Sequence, residues 1–450
     1  MRARESRPRL LQAMVDAFSL PDLRVRLLFT LAILILFRFI AQVPAPIVTA
    51  DMLDRLMTFY EENALFGMLD LFSGGAMRDF SIVAMGVYPY ITASIIMQLL
   101  VPVIPRLQSL AKEGESGREK INMYTHWLMV PLAALQGYGL VAMMRNQGLI
   151  TAEQWDPMMI ATTIVVMTCG SLFLVWLGER ITERGIGNGI SLIIFSGIIV
   201  TVPEMMWKTQ EAGGWWTLMK LGIFSLAIVV LVVYVTEAYR RIPVQYSRSV
   251  FRGRRMYRQA GSSHIPLRVN MAGMIPLIFA MALVMLPGTI ASYFGDNSTA
   301  ESIARFFDPS NGPVINITDG FEISSYPYWL IYFALVIGFA FFYTMVTFEQ
   351  QNLAENLQRQ GGFIPGIRPG KHTSEYLDQV VYRITWGGAI FLGMVAIAPF
   401  FTQWIAPEVE QTGFMILSSA GALIVVGVAL DTMRQIEAQL LMRRYEGFLR

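Results

Sequence analysis

The chain has a single cysteine, Cys169, and three histidines, His126, His264 and His372, in 450 residues. An intrachain disulfide is therefore excluded, and no Cys/His spacing suits a structural metal. Charged residues make up only 15% of the chain. It carries no H-E-x-x-H and no G-x-S-x-G. Gly185-Ile186-Gly187-Asn188-Gly189 is glycine-rich, yet it opens an apolar stretch and follows no strand, which argues against a nucleotide site. Pro369-Gly370-Lys371-His372 resembles the end of a P-loop, but Pro365 stands where the upstream glycine belongs and His372 where Ser or Thr belongs. No catalysis, cofactor or metal is expected of this chain.

What is present is apolar sequence in long blocks. The chain is 54% hydrophobic, and a helix needs roughly 20 apolar residues to cross a bilayer. Ten blocks qualify: Leu27–Val43, Ile82–Val103, Ile121–Met144, Met158–Leu177, Ile186–Val202, Leu221–Thr236, Val269–Tyr293, Tyr326–Phe348, Ile384–Ile405 and Phe414–Leu430. None alternates every second residue, so a barrel is excluded and an all-α membrane bundle is expected.

Charge tests that count independently. With a cytoplasmic N-terminus and one crossing per block, Arg55, Arg78, Arg145, Lys208, Lys220 and Arg305 fall outside and Arg38 falls within a span. All other members of the 35 Lys and Arg are then cytoplasmic, as positive-inside sorting requires. The basic N-terminus has no small-residue cleavage site after it, so the first block reads as a retained helix. Arg38, near the outer end of its span, reads as snorkelling or bonded to a neighbouring carbonyl.

Ten spans divide into halves of five, residues 1–205 and 206–450, and an odd number per half requires any repeat to be inverted. Gly86-Val87-Tyr88-Pro89-Tyr90-Ile91 and Gly273-Met274-Ile275-Pro276-Leu277-Ile278 share the pattern G-x-x-P-x-I in the second span of each half. The two prolines are expected to bend their helices. Two cytoplasmic loops are long. Glu237–Asn270 carries eight arginines against one glutamate, and Glu349–Asp378 contains a Gly/Pro-rich run. Eight exceeds what orientation needs, which suggests a docking surface for an acidic partner or RNA. The apolar segment Asn63–Gly75 is too short to cross and reads as an interfacial or a re-entrant helix.

Several runs carry a family resemblance. They are Phe72-Ser73-Gly74-Gly75-Ala76, Pro89 to Leu100, Lys112 to Arg118, Gly178 to Ser191, Arg241 to Tyr246, His264 to Asn270 and Phe363 to Gly370. Together they cover the chain in order, and it resembles the SecY/Sec61-alpha family of protein-conducting channels, its bacterial branch best. The resemblance implies ten helices in two inverted halves around an hourglass channel, with a plug and a lateral gate to lipid. It implies a constriction ring of Val87, Ile91, Ile190, Ile194, Ile278 and Ile424, where Val87 departs from the usual isoleucine. It implies a plug at 65–72, including Leu65, Phe66, Leu69 and Phe72, hinged at Gly74 and Gly75. Thr92, Gln98, Asn270 and Leu286 fall at the lateral gate. Arg254, Arg255 and Arg368 match arginines that dock the SecA motor or the ribosome. The implied setting is the bacterial cytoplasmic membrane with both termini inside. The implied partners are SecE and SecG, signal peptides and preproteins, lipid, and YidC and SecDF as accessory factors. A secondary transporter is the competing reading and would need an intramembrane charge pair. A membrane-embedded enzyme ranks third and would need a catalytic constellation.

Overall fold

The computed structural model describes residues 18, 20–49, 52–53, 55–56, 70, 73–146, 148–150, 155–252, 255–292, 298–307, 315–318, 321–323, 326–351, 353–405 and 421–446. A helix stands at each of the ten expected places. These are α1 (Pro21–Ala41), α2 (Tyr88–Val103) with its short sequel α3 (Pro105–Lys112), α4 (Glu115–Asn146) and α5 (Pro157–Arg184). Next come α6 (Gly189–Glu211) and α7 (Gly213–Glu237), then α8 (Ile275–Ser292) and the short α9 (Ser298–Phe306). After these follow α10 (Tyr326–Gln351), α11 (Leu353–Arg359), α12 (Lys371–Ala396) with α13 (Ala398–Ile405), and α14 (Ala422–Glu446). By length and hydropathy alone, 6 of the described helices could cross a membrane, and α2 with α3, bent by 97°, would make a seventh.

The helices pack as one bundle. α2 lies on α4, α4 on α5, α5 on α6, α8 on α10, α10 on α12, and α14 on the α6–α7 run. A single apolar core joins α1, α2, α4–α8, α10, α12 and α14. Lipid-facing aliphatics such as Val25, Leu135, Val165, Ile223 and Leu330 remain exposed, as expected where hydrocarbon rather than water is the solvent. α6 and α7 meet at Gly214, whose φ of 70° breaks the helix.

Three expectations are changed by the folded chain. Pro89 and Pro276 do not bend their helices. Each occupies the first turn, where its missing N–H has no helical partner to lose, so each starts a helix. Residues 82–87 of the second block are turns, not helix. The fold is also not purely helical. β1 (Tyr239–Arg252) and β2 (Arg255–Arg268) form an antiparallel hairpin, about 45 Å long at 3.4 Å per residue. β5 (Gly362–Phe363) adds to β1 at Gln245 and Tyr246, and β3 (Ile315–Thr318) pairs with β4 (Phe321–Ile323) in a separate two-stranded sheet. Ile242, Val244, Leu267, Leu357, Ile364, Leu377 and Val381 form a second core beneath the larger sheet. Burial of each such side chain contributes about 1.5–3 kcal/mol. The two long loops are therefore one folded body.

Candidate functional site

The six aliphatics expected at a constriction come from the first two turns of four helices. Val87 caps α2 and Ile91 follows one turn later. Ile190 and Ile194 are likewise one turn apart on α6, so each pair shares a helix face. Ile278 lies in the first turn of α8 and Ile424 in that of α14. All except Ile190 are buried, and all six belong to the main core. Ile190 is half-buried, and its Cγ1 occupies the space a side chain at Gly178 would need, 2.9 Å from that Cβ position. The two glycines of the G-x-x-P-x-I pattern have φ of 54° (Gly86) and 65° (Gly273), the left-handed region that glycine enters without cost. The repeat is thus a repeat of backbone geometry. In both halves a left-handed glycine and a first-turn proline deliver an isoleucine to the start of a helix.

Beside this core lies the turn expected to hinge the plug. Leu65, Phe66, Leu69 and Phe72 are outside the described residues. Gly74 and Gly75 are described, with φ of 70° and 86°. A Cβ at Gly74 would lie 2.8 Å from the Gly197 Cα on α6 and 3.2 Å from the Phe37 ring on α1. Arg38 donates to the Gly74 carbonyl, so the only basic residue within a span is bonded to a carbonyl, one of the two outcomes the sequence leaves open.

The same turn holds a charge network that the sequence reading missed. Asp70 is buried and accepts from Ser73 Oγ (3.0 Å), the Met77 N–H (3.0 Å) and the Arg78 N–H (3.1 Å). The Arg78 side chain reaches Asp70 at 3.8 Å and Glu204 on α6 at 2.6 Å. Lys208 meets Glu204 at 3.1 Å. Burial pushes the Asp70 carboxyl above the usual carboxylate range, and Arg78 together with the three hydrogen bonds opposes that shift. The available signal was a carboxylate and an arginine flanking a Ser-Gly-Gly turn, but nothing local names Glu204 as the partner.

At the expected gate, α2 and α8 touch. Tyr88 Oη donates to the Ala282 carbonyl at 3.5 Å across that seam, a long bond. Thr92 is buried and its hydroxyl donates to the Tyr88 carbonyl at 3.0 Å; Leu286 is half-buried on α8. Gln98 and Asn270 do not bond to each other. Gln98 donates to Ser94 (3.1 Å) and Asn270 to the Gly273 carbonyl (3.1 Å), so each amide is satisfied within its own segment.

Of the docking arginines, Arg368 is exposed just after β5, and its carbonyl accepts from Thr373 at 3.0 Å. Arg255 begins β2, its side chain being outside the described residues, as is Arg254 altogether. The sheet joins the two loops at Gln245–Tyr246, which leaves the hairpin tip about 20 Å away along β1. The sheet is one body but extended along β1 and β2.

The arrangement sets the six aliphatics in or against one apolar core, holds a polar turn at Gly74 against α1 and α6, and adds a folded sheet from the two long loops. Comparison with known proteins follows the same lines. Residues 81–433 match the family model SecY. Protein translocase subunit SecY of Streptomyces scabiei is 43% identical over 98% of this chain and 100% of that protein. The subunit of the same name from Thermus thermophilus is 42% identical over 98% of both chains. Among solved structures, one described as a protein conducting channel superposes with a TM-score of 0.65 at 20% identity, covering 92% of this chain and 91% of that one. Sec61 from a canine ribosome–channel complex gives a TM-score of 0.62 at 18% identity, with the same coverages.

Proposed function

The chain belongs to the SecY family, and we propose that it is the protein-conducting subunit of a bacterial translocase, with Val87, Ile91, Ile190, Ile194, Ile278 and Ile424 as its seal. The observation that supports this reading is that all six aliphatics, from the first two turns of four helices, lie in or against the one apolar core of the bundle. A translocating chain presents every kind of side chain, so the seal must grip none of them. Branched aliphatics exclude ions by dewetting and offer no hydrogen bond to hold a passing segment.

Opening requires the α2–α8 seam to part and the segment before Gly74 to leave. Thr92, Gln98, Asn270 and Leu286 line that seam in this reading. Apolar segments leave through it because Leu, Ile, Phe and Val each gain about 0.3–0.6 kcal/mol at the membrane centre. The push comes from outside the chain, from SecA with ATP or from the translating ribosome, docked through Arg254, Arg255 and Arg368. SecE and SecG complete the complex in the cytoplasmic membrane, with both termini of this chain inside. The 1–205 and 206–450 halves are the two jaws.

Replacing Ile91 and Ile278 together by glycine tests the seal. The purified complex in a planar bilayer should then pass small ions at rest, whereas the unmodified complex stays closed. A silent double variant refutes the ring.

A further inference from the structure

The turn between α5 and α6 lies immediately before two ring residues, and its backbone is held from three sides. The Ile186 N–H donates to Thr30 Oγ1 on α1 (3.2 Å), the Gly187 N–H to Gln435 Oε1 on α14 (2.9 Å), and the Gly189 N–H to Thr182 Oγ1 on α5 (2.9 Å). Asn188 caps α6 by accepting from the Ser191 N–H at 3.2 Å. These bonds go to main-chain groups, so they fix where the helix begins rather than where a side chain points.

The glycines of this turn admit that approach. A Cβ at Gly185 would lie 2.4 Å from Thr30 Oγ1, and one at Gly189 only 1.8 Å from the Gly178 carbonyl oxygen. Gly187 has a φ of 89°, and a Cβ there would stand 3.0 Å from Thr432 Oγ1 on α14. Ile186 itself packs with Leu23 of α1 and Ile436 of α14.

Gln435 differs from the other two acceptors because its helix also carries a ring residue. Ile424 and Gln435 are eleven residues apart, about three turns and 16 Å, so they share one face of α14 to within about 20°. We propose that Gln435, with Thr30, is a positioning residue for the constriction. Its bond to Gly187 sets the start of α6, and with it Ile190 and Ile194, against the α14 face that presents Ile424. This rests on the ring reading given above. Any widening that moves α14 away from α6 leaves the Gly187 N–H without its acceptor, so the bond favours the closed ring.

The test is resting ion leak of the full-length chain, purified with its accompanying subunits, in planar bilayers, alongside thermal melting. Gln435→Leu removes the acceptor and should raise the leak about tenfold, the order expected for one orphaned backbone donor. Gln435→Glu keeps an oxygen at the same place and should leak as the unmodified protein does. Gln435 is exposed, so Gln435→Leu loses no packing and should melt lower only by what the lost bond contributes, while Gln435→Glu should melt as the unmodified protein does. Thr30→Val and Thr30→Ser form a second pair, acting through Ile186, should Gln435→Leu not assemble.

An unchanged leak in both Gln435→Leu and Thr30→Val overturns the proposal. So does a leak in Gln435→Glu equal to that of Gln435→Leu, which would assign the effect to packing. The Ile91/Ile278 double glycine variant runs beside them. If it leaks while Gln435→Leu does not, the ring stands and only the positioning role falls. If it too is silent, the ring reading falls and the positioning role with it.

Discussion

Gly74→Ala is the sharpest probe of the hinge, because the structure separates its two costs. The first is conformational. At a φ of 70° an alanine side chain crowds its own carbonyl, a penalty of about 1–2 kcal/mol. The second is packing. The new methyl would stand 2.8 Å from the Gly197 Cα, and a backbone atom cannot rotate away. Overpacking of this kind costs about 1–3 kcal/mol. Gly75→Ala serves as the control: its φ of 86° imposes the first cost, but the nearest atom is the end of the Arg78 side chain at 3.5 Å. If the segment leaves its seat on opening, both penalties are relieved in the open state. Gly74→Ala should then favour opening by at least about 2 kcal/mol, roughly thirtyfold. Gly75→Ala should shift it by no more than about 2 kcal/mol, and by less than Gly74→Ala. Resting leak in planar bilayers and the melting temperature of the purified complex read the two. A Gly74→Ala protein that leaks and melts no differently from Gly75→Ala would refute the close approach to α6 as the reason for glycine.

Burial raises the Asp70 carboxyl, so the wild type is most stable below the ordinary carboxylate range and loses that increment as pH rises through the shifted value. Asp70→Asn keeps the acceptor oxygen and does not titrate; it should melt higher than wild type at neutral pH, with the two converging in acid, and the opposite order would show that the Arg78 contact dominates. Arg→Lys at Arg254, Arg255 and Arg368 preserves charge but not the planar bidentate fork; protease mapping should show unchanged topology while affinity for the motor or ribosome falls, and full affinity of the triple lysine variant would leave these residues to orientation alone. A cysteine at Leu69 should react with an external thiol reagent only when a stalled substrate occupies the channel; equal labelling with and without substrate argues for a fixed interfacial helix.

Membrane class and span positions could be read from the chain because both depend on local composition. An apolar block partitions into hydrocarbon by the sum of its own side chains, and arginines sort by which block they flank. The six aliphatics proposed as the seal could be singled out only through family likeness, since an isoleucine in a membrane helix is by itself unremarked. The hairpin had a signal that went unread: Ile242, Val244 and Tyr246 alternate, as do Ile265 and Leu267, the two-residue period of a strand with one buried face. The first-turn role of Pro89 and Pro276 could not be told from a kink, because an apolar run does not mark where its helix begins.

Tertiary structure decided what depends on partners distant in the chain. Arg78 meets Glu204 across 126 positions and Gly187 meets Gln435 across 248. β5 joins β1 through a two-residue pairing that neither segment specifies alone. Hydrogen bonds and ion pairs act over a few ångströms, whereas the pattern that sorts helices into a membrane contains nothing about which faces will meet. Composition marked which segments are apolar enough for a bilayer, and packing around left-handed glycines decided which of their faces meet.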